Sequence, residues 1–247
     1  MKRYAIDINC DVGEGIGNEA NLFPHISSCN IACGGHAGDK DSMKAIIALA
    51  KKHHVKIGAH PSYPDKANFG RVSLQISPLA LRASIQKQIA DLEAVCTNEE
   101  IELHHIKPHG ALYNDIAKDE KLAQIFLDAI EKYKTNLKLY VPPASAVARK
   151  AVEKGFQIVL EAFADRNYTD DLRLVSRKET NALITKPEKV LRHLVLLIKE
   201  KCVVTRSGKR IPMAAETFCV HGDTSSAFQI LTYLSKELPN QNIFLNN

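Results

Sequence analysis

Extended apolar stretches alternate with helical apolar stripes along the chain. The extended stretches centre on residues 4–9, 28–33, 55–59, 103–107, 137–141, 157–162 and 216–221. Between them, apolar positions recur at three- and four-residue spacing, which places them on one face of a helix. Met43, Ile46, Ile47 and Ala50 form one such face behind the cap residue Asp39, and Leu81, Ile85, Ile89, Leu92 and Cys96 form another behind Ser77 and Pro78. Further stripes are Leu122, Ile125, Phe126, Ala129 and Ile130, then Val147, Ala148, Ala151 and Val152 ending at Gly155. Val190, Leu191, Leu194, Leu197 and Ile198 follow Pro187, and a last stripe of Ala227, Ile230, Leu231 and Leu234 starts near Asp223.

Strand and helix in regular alternation are the pattern of βα units around a parallel sheet. Seven such strands predict an α/β fold, an irregular seven-stranded (β/α) TIM-like barrel, with an open doubly wound sheet as the alternative. No linker rich in Pro, Gly or Ser interrupts the series and no repeat period is present, so residues 1–247 read as one domain. The basic stretch from Arg206 to Arg210 breaks the helical period after Val204 and reads as an exposed hairpin turn.

Composition narrows the class. With 45% hydrophobic and 25% charged residues the chain has the makeup of a globular protein, which removes disorder and fibrous structure. Lys plus Arg number 33 against 28 Asp plus Glu, a mild positive excess that suits an anionic small ligand and does not single out nucleic acid. No apolar run reaches membrane-spanning length and the first residues pass from basic side chains straight to carboxylates, so no membrane partner and a cytoplasmic location are expected. Cys10, Cys29, Cys33, Cys96, Cys202 and Cys219 show no CxxC pairing and read as small buried hydrophobes.

Chemistry collects where the strands end, which in βα folds is where active sites assemble. Asp7, Asn9 and Asp11 stand at period two, so an extended backbone projects all three to one face, and Glu14 follows between two glycines. The second strand runs into Asn30-Ile-Ala-Cys-Gly-Gly-His36-Ala-Gly-Asp39, and the third into His60-Pro-Ser-Tyr-Pro-Asp65 and then Phe69-Gly-Arg71. His105, Lys107 and His109 repeat the period-two arrangement on the fourth. The sixth supplies Glu161, Asp165 and Arg166, and the seventh His221 and Asp223. Four histidines, His36, His60, His109 and His221, thus reach one barrel mouth from four strand ends. Simpler roles stand beside these: Asp7 and Asp11 as inward carboxylates paired with Lys107 or Arg166, and Asp39 and Asp223 as helix caps.

A carboxylate activating water, a histidine protonating a leaving nitrogen and a lysine or arginine holding an anion make up a hydrolase toolkit. The same Asp and His residues suit a divalent metal, but no HxxxH or HExxH spacing is present and the sequence leaves the metal open. No GxxxxGK[ST] loop, GxSxG elbow or GxGxxG turn occurs, so this chain shows no recognisable ATP site of its own.

Taken together, Asp7-Ile-Asn-Cys-Asp-Val-Gly-Glu14, Asn30 to Asp39, Gly58-Ala-His-Pro-Ser-Tyr-Pro-Asp65, Lys107-Pro-His-Gly-Ala-Leu-Tyr113, Glu161-Ala-Phe-Ala-Asp-Arg166 and Val220-His-Gly-Asp223 resemble the LamB/YcsF family over nearly the whole chain. The resemblance implies a barrel similar to those of glycoside hydrolases and polysaccharide deacetylases. It also implies ATP-dependent opening of a lactam, 5-oxo-L-proline, to L-glutamate together with partner subunits B and C. On that footing Asp11 or Glu14 is expected as the base, His60 or His109 as the acid, and Lys107 with Arg71 as anion holders. Asp7, Asn9, His36, Glu161, Asp165, Arg166, His221 and Asp223 are expected to contact substrate. A metal-dependent amide hydrolase acting alone and a non-catalytic protein that only binds the substrate remain as alternatives. Three positions depart from the family pattern: Gly35 replaces an aromatic, Val72 a second arginine, and Asn181 a glycine before Ala182.

Overall fold

The structure is a computed structural model and describes residues 2–246. In chain order the elements are β1 (Tyr4–Val12), α1 (Glu19–Leu22), β2 (Ser28–Ala32), α2 (Lys40–His53), β3 (Lys56–His60), α3 (Pro78–Asn98), β4 (His105–Ile106), α4 (Gly110–Ile116) and α5 (Glu120–Ala129). They continue as β5 (Lys138–Val141), α6 (Ala146–Glu153), β6 (Gln157–Phe163), α7 (Pro187–Val195), β7 (Cys202–Val204), β8 (Arg210–Pro212), β9 (Thr217–Cys219), α8 (Ala227–Glu237) and β10 (Ile243–Leu245).

Seven parallel strands close into a barrel in the order β1-β2-β3-β4-β5-β6-β9, with β9 returning to β1. The nine residues of β1 make the closure. Its first three pair with β10, Asp7 to Asn9 pair with β9, and Asn9 to Val12 pair with β2. The open-sheet alternative is thereby excluded. Strands β7 and β8 form a separate antiparallel hairpin whose turn carries Arg206 to Lys209 of the basic stretch, with Arg210 opening β8.

Local sequence explains the helices. Asp39 and Ser42 exchange side-chain and backbone hydrogen bonds at the start of α2, satisfying amides that have no partner within the helix. Ser77 caps α3 ahead of Pro78, whose missing N–H costs nothing in the first turn. The expected apolar faces are buried: Met43, Ile46, Ile47 and Ala50 on α2, and Leu81, Ile85, Ile89 and Leu92 on α3. Each large member contributes about 1.5–3 kcal/mol by leaving water.

Four features differ from the sequence expectation. The fourth strand shrinks to His105–Ile106, because Pro108 has no N–H to extend a ladder. The seventh stops at Cys219, leaving His221 just beyond it. Helix α4 and strand β10 are additions. The last helix begins at Ala227, so Asp223 is not its cap. All six cysteines are buried and free. No helix among the described residues is long and apolar enough to cross a membrane.

The decisive architectural feature is the polarity of the barrel interior. On β1, Ile6, Ile8, Cys10 and Val12 alternate with Asp7, Asn9 and Asp11, and both sets from residue 8 onward are buried. Interiors of this fold are ordinarily filled by branched apolar side chains. Here the interior carries hydrogen-bonded amides, carboxylates and a lysine.

Candidate active site

The interior builds upward in layers. Lowest is Asp7, which accepts hydrogen bonds from Ser28 Oγ at 2.7 Å and Thr217 Oγ1 at 2.6 Å, with Lys56 Nζ at 3.9 Å. It lies below the ionisable cluster and does not meet Lys107 or Arg166. Above it, Asn9 donates to Glu161 Oε1 at 2.9 Å and accepts from Asn30 at 2.8 Å. Asn30 also donates to Asp11 Oδ1 at 2.8 Å, and its own oxygen faces His105 Nε2 at 2.7 Å. His105 stacks on Tyr140 and occupies the space over Gly58, where a Cβ would fall 2.1 Å from its ring nitrogen.

Lys107 is the hub. Its ammonium, in a side chain 2% exposed, lies 2.9 Å from Asp11 Oδ1, 2.9 Å from Glu161 Oε1, 3.0 Å from Asn9 Oδ1 and 3.1 Å from Cys219 Sγ. Burial alone would push this lysine towards neutrality, but the surrounding Asp11 and Glu161 charges reverse that and raise it well above the ordinary value. Burial likewise opposes the Asp11 carboxylate, and His60 with Lys107 hold it well below the usual range. The interior therefore contains an ionised Asp11 paired with a charged Lys107.

To one side stand Glu14, His36, His60 and His109, all buried. His36 Nε2 lies 3.0 Å from Glu14 Oε1, and the His36 ring stacks on His109 at 3.6 Å. His60 Nδ1 lies 2.7 Å from the Lys107 carbonyl oxygen, His109 Nε2 lies 3.0 Å from the Phe69 carbonyl oxygen, and the remaining nitrogens of the two rings face each other at 2.9 Å. Burial pushes His109 well below the ordinary histidine value, and the neighbouring His36 and His60 add to it. Burial also lowers His36. The candidate donor atoms of these four residues lie within 4.8 Å of one another, a set able to hold a metal ion.

Across the mouth, His221 Nδ1 lies 2.9 Å from Asp165 Oδ1, and the His221 backbone N–H donates to Asp165 Oδ2 at 2.9 Å. The ring stacks on Phe163. Burial disfavours the Asp165 charge, yet His221 keeps its carboxyl below the usual value. His221 thus has a carboxylate at its back that fixes the orientation of its ring. One donor atom each of Asp11, Cys219 and His221 lie within 4.8 Å of one another.

At the rim, Asp223 receives Arg71 at 2.5 Å and Arg177 at 3.1 Å. Burial works against the Asp223 charge, but Arg177, His221 and Arg71 bring its carboxyl below the usual range. Arg166 is not at the mouth. It is buried and donates to the carbonyls of Val175 at 2.5 Å and Ala182 at 3.3 Å, fastening the segment that presents Arg177. Arg177, Thr217 and Cys219 stand in the site although motif and spacing did not single them out, and Asn30, quoted at the head of a motif, was given no role there. A polar Asn30 and Thr217 on otherwise apolar strands carry a visible signal, whereas Arg177 lies in irregular chain and carries none.

Gly35 has a structural reason. A Cβ there would fall 2.3 Å from Gln88 Oε1 and 2.4 Å from Ser62 Oγ. Gln88, a buried polar residue on the apolar face of α3, exchanges hydrogen bonds with the Ser62 backbone at 2.9 Å in each direction and fills the adjoining space. Val72 is 52% exposed near the rim.

The sequence matches the profile of the LamB/YcsF family over residues 6–247. The chain is 38% identical over 245 residues to the 5-oxoprolinase A subunit of Clostridium beijerinckii, covering 97% of this chain and 96% of that protein. It is 37% identical over 238 residues to the 5-oxoprolinase A subunit of Haemophilus influenzae, covering 96% and 97%. The crystal structure of a lactam utilization protein from Thermus thermophilus superposes with a TM-score of 0.91 at 32% identity, covering 98% of this chain and 99% of that one.

Proposed function

From the chain's membership of the LamB/YcsF family, we propose that it is the A subunit of an ATP-dependent 5-oxoprolinase, opening 5-oxo-L-proline to L-glutamate with subunits B and C. A lactam is a resonance-stabilised amide and resists attack by water. Transfer of the γ-phosphoryl group of ATP to the ring carbonyl oxygen turns it into a leaving phosphate. Water then adds to the former carbonyl carbon and gives up its protons, the ring C–N bond breaks as the nitrogen takes a proton, and a second water cleaves the resulting acyl phosphate to glutamate and phosphate. The activation is assigned to subunits B and C, because the sequence carries no GxxxxGK[ST] motif. The ring opening is assigned to the barrel mouth.

The observation that carries this reading is an ionised carboxylate facing an oriented imidazole inside the mouth. Asp11 is held as an anion by Lys107 and has Oδ2 uncommitted to the lysine, so it is the base that takes the proton from water. His221, backed by Asp165, protonates the departing nitrogen. This assignment replaces the sequence expectation of His60 or His109 as the acid, since both nitrogens of each of those rings face partners. Arg71 and Arg177, gathered on Asp223, meet the substrate carboxylate or the phosphate at the rim. Asn9 and Glu161 orient Lys107 from below, and Glu14 with His36 closes the opposite side.

Glutamate release from 5-oxoproline and ATP, measured with this chain alone and with subunits B and C, tests the proposal. Release only in the mixture is expected. A folded, complete mixture without release returns the non-catalytic reading, and release by the chain alone without ATP returns the stand-alone metal-dependent amide hydrolase.

A further inference from the structure

The histidine group beside Asp11 contains a conflict that two neutral imidazoles do not resolve. Carbonyl oxygens only accept, so the ring nitrogens that face them carry the hydrogens: Nδ1 of His60 towards Lys107 O at 2.7 Å, and Nε2 of His109 towards Phe69 O at 3.0 Å. Each neutral ring then presents a lone pair from its other nitrogen. Those two nitrogens, His60 Nε2 and His109 Nδ1, are the pair that face each other at 2.9 Å. Glu14 Oε1, a further acceptor, lies 3.4 Å from His109 Nδ1, and Asp11 Oδ2 lies 3.4 Å from His60 Nε2. With both rings neutral, acceptors alone converge on one point; a proton shared between the two rings serves only that pair, whereas a cation serves Glu14, His60 and His109 together.

We propose that Glu14, His60 and His109 form a site for one divalent cation of the zinc class, with His36 as the residue that positions Glu14. Three features support it. The spacing fits: metal–ligand bonds of about 2.0–2.1 Å in a tetrahedral site set neighbouring donors roughly 3.3 Å apart, against 2.9 and 3.4 Å here. The backing fits: imidazole ligands ordinarily donate their second N–H to a carbonyl or carboxylate, which fixes tautomer and orientation, and both rings do so to backbone. The donor set fits: two imidazoles and one carboxylate suit zinc-class ions and leave a coordination position open. His36 donates from Nε2 to Glu14 Oε1 at 3.0 Å and lies flat on His109, so it holds the carboxylate and the ring in place without ligating.

The proposal deepens the reading of the mouth as a lactam-opening site, and rests on that reading only for what the cation does: a Lewis acid there would polarise an oxygen of the bound ring or its phosphate. Binding itself is read from donor geometry alone, so the test follows binding. The whole chain, stripped by a chelator, is titrated with Co2+ and followed by its visible absorption, and with Zn2+ by calorimetry and thermal unfolding. One equivalent per chain is expected, with cobalt bands of low-coordinate intensity and a rise in unfolding temperature. His109→Ala and Glu14→Gln, each verified as folded by circular dichroism, should weaken binding at least about 100-fold, and His36→Gln by roughly 10–100-fold as an outer-shell loss. No cobalt band in the wild type, or binding undiminished in a folded His60→Ala/His109→Ala protein, overturns the site. Stoichiometric binding without glutamate release in a complete mixture supports the site and overturns the function instead.

Discussion

Replacing Lys107 by Met removes the interior's one charge hub while keeping much of its volume. The ammonium serves Asp11 and Glu161 at 2.9 Å each, and both carboxylates are buried, at 7% and 1% exposure. Without it two acidic groups face each other with no cation, and breaking a buried pair from one side costs about 3–5 kcal/mol. The two pairs share one ammonium, so their losses do not simply add. For a chain of this size each kcal/mol lowers the unfolding temperature by about 2–4 °C, which gives a fall of roughly 6–20 °C. The pH dependence has a definite sign. Lys107 is raised in the folded state, so its contribution is complete below the free lysine value of about 10.4 and is lost as pH climbs through the folded one. Asp11 is lowered, so its contribution is complete above the free value of about 3.9 and is lost as pH falls through the folded one. The gap between wild type and Lys107→Met is therefore widest near neutral pH and narrows towards about pH 4, where the orphaned Asp11 protonates in the variant. Thermal and urea unfolding at both pH values measure it, and adding Glu161→Gln should restore part of the loss. A fall below about 2 °C, the same at both pH values, would refute the ion-pair account.

Other substitutions probe separate parts of the site. Asp165→Asn keeps the shape behind His221 and removes its charge, so glutamate release by the complete complex should drop about 10²–10⁴-fold while the protein stays folded. Arg177→Ala removes a partly exposed contact at the rim, worth about 1 kcal/mol, and steady-state kinetics should show KM for 5-oxoproline raised roughly 5-fold with a smaller effect on kcat. Gly38 has φ +85° and a Cβ there would fall 2.2 Å from the Ala32 carbonyl oxygen, whereas Gly34, at φ +97°, has open space. Gly38→Ala should consequently lower the unfolding temperature more than Gly34→Ala, and equal effects would show that backbone strain alone matters.

Much of this site is written in local pattern. Period-two placement of Asn9 and Asp11 beneath a buried apolar set, and of His105 and Lys107 on the fourth strand, points inward wherever the strands form, so an interior of polar side chains was legible. Strand ends bearing Glu14, His36, His60, His109 and His221 were legible for the same reason. What the sequence did not carry is who meets whom across the barrel. Asp7 and Asp11 look alike in the chain, yet one is satisfied by Ser28 and Thr217 below while the other meets Lys107 above. Arg166 sits inside a motif but bonds to backbone of the following segment, and Arg177, in no motif, reaches the rim. The division of labour among the histidines depends on which ring nitrogen finds a carbonyl, a relation set by packing between distant strands. The short β10 escaped because three residues show no period, and its pairing with β1 is fixed by the fold.

If the mouth opens the ring while ATP is spent elsewhere in the complex, the two products can be uncoupled by a substitution in this chain. Parallel measurement of ADP and glutamate formation, by the complete complex carrying Asp11→Asn in this chain, tests it most directly. 5-oxoproline-dependent ADP formation should continue while glutamate formation falls about 10²–10⁴-fold. Glutamate formed at the wild-type rate, one for each ADP, would contradict it.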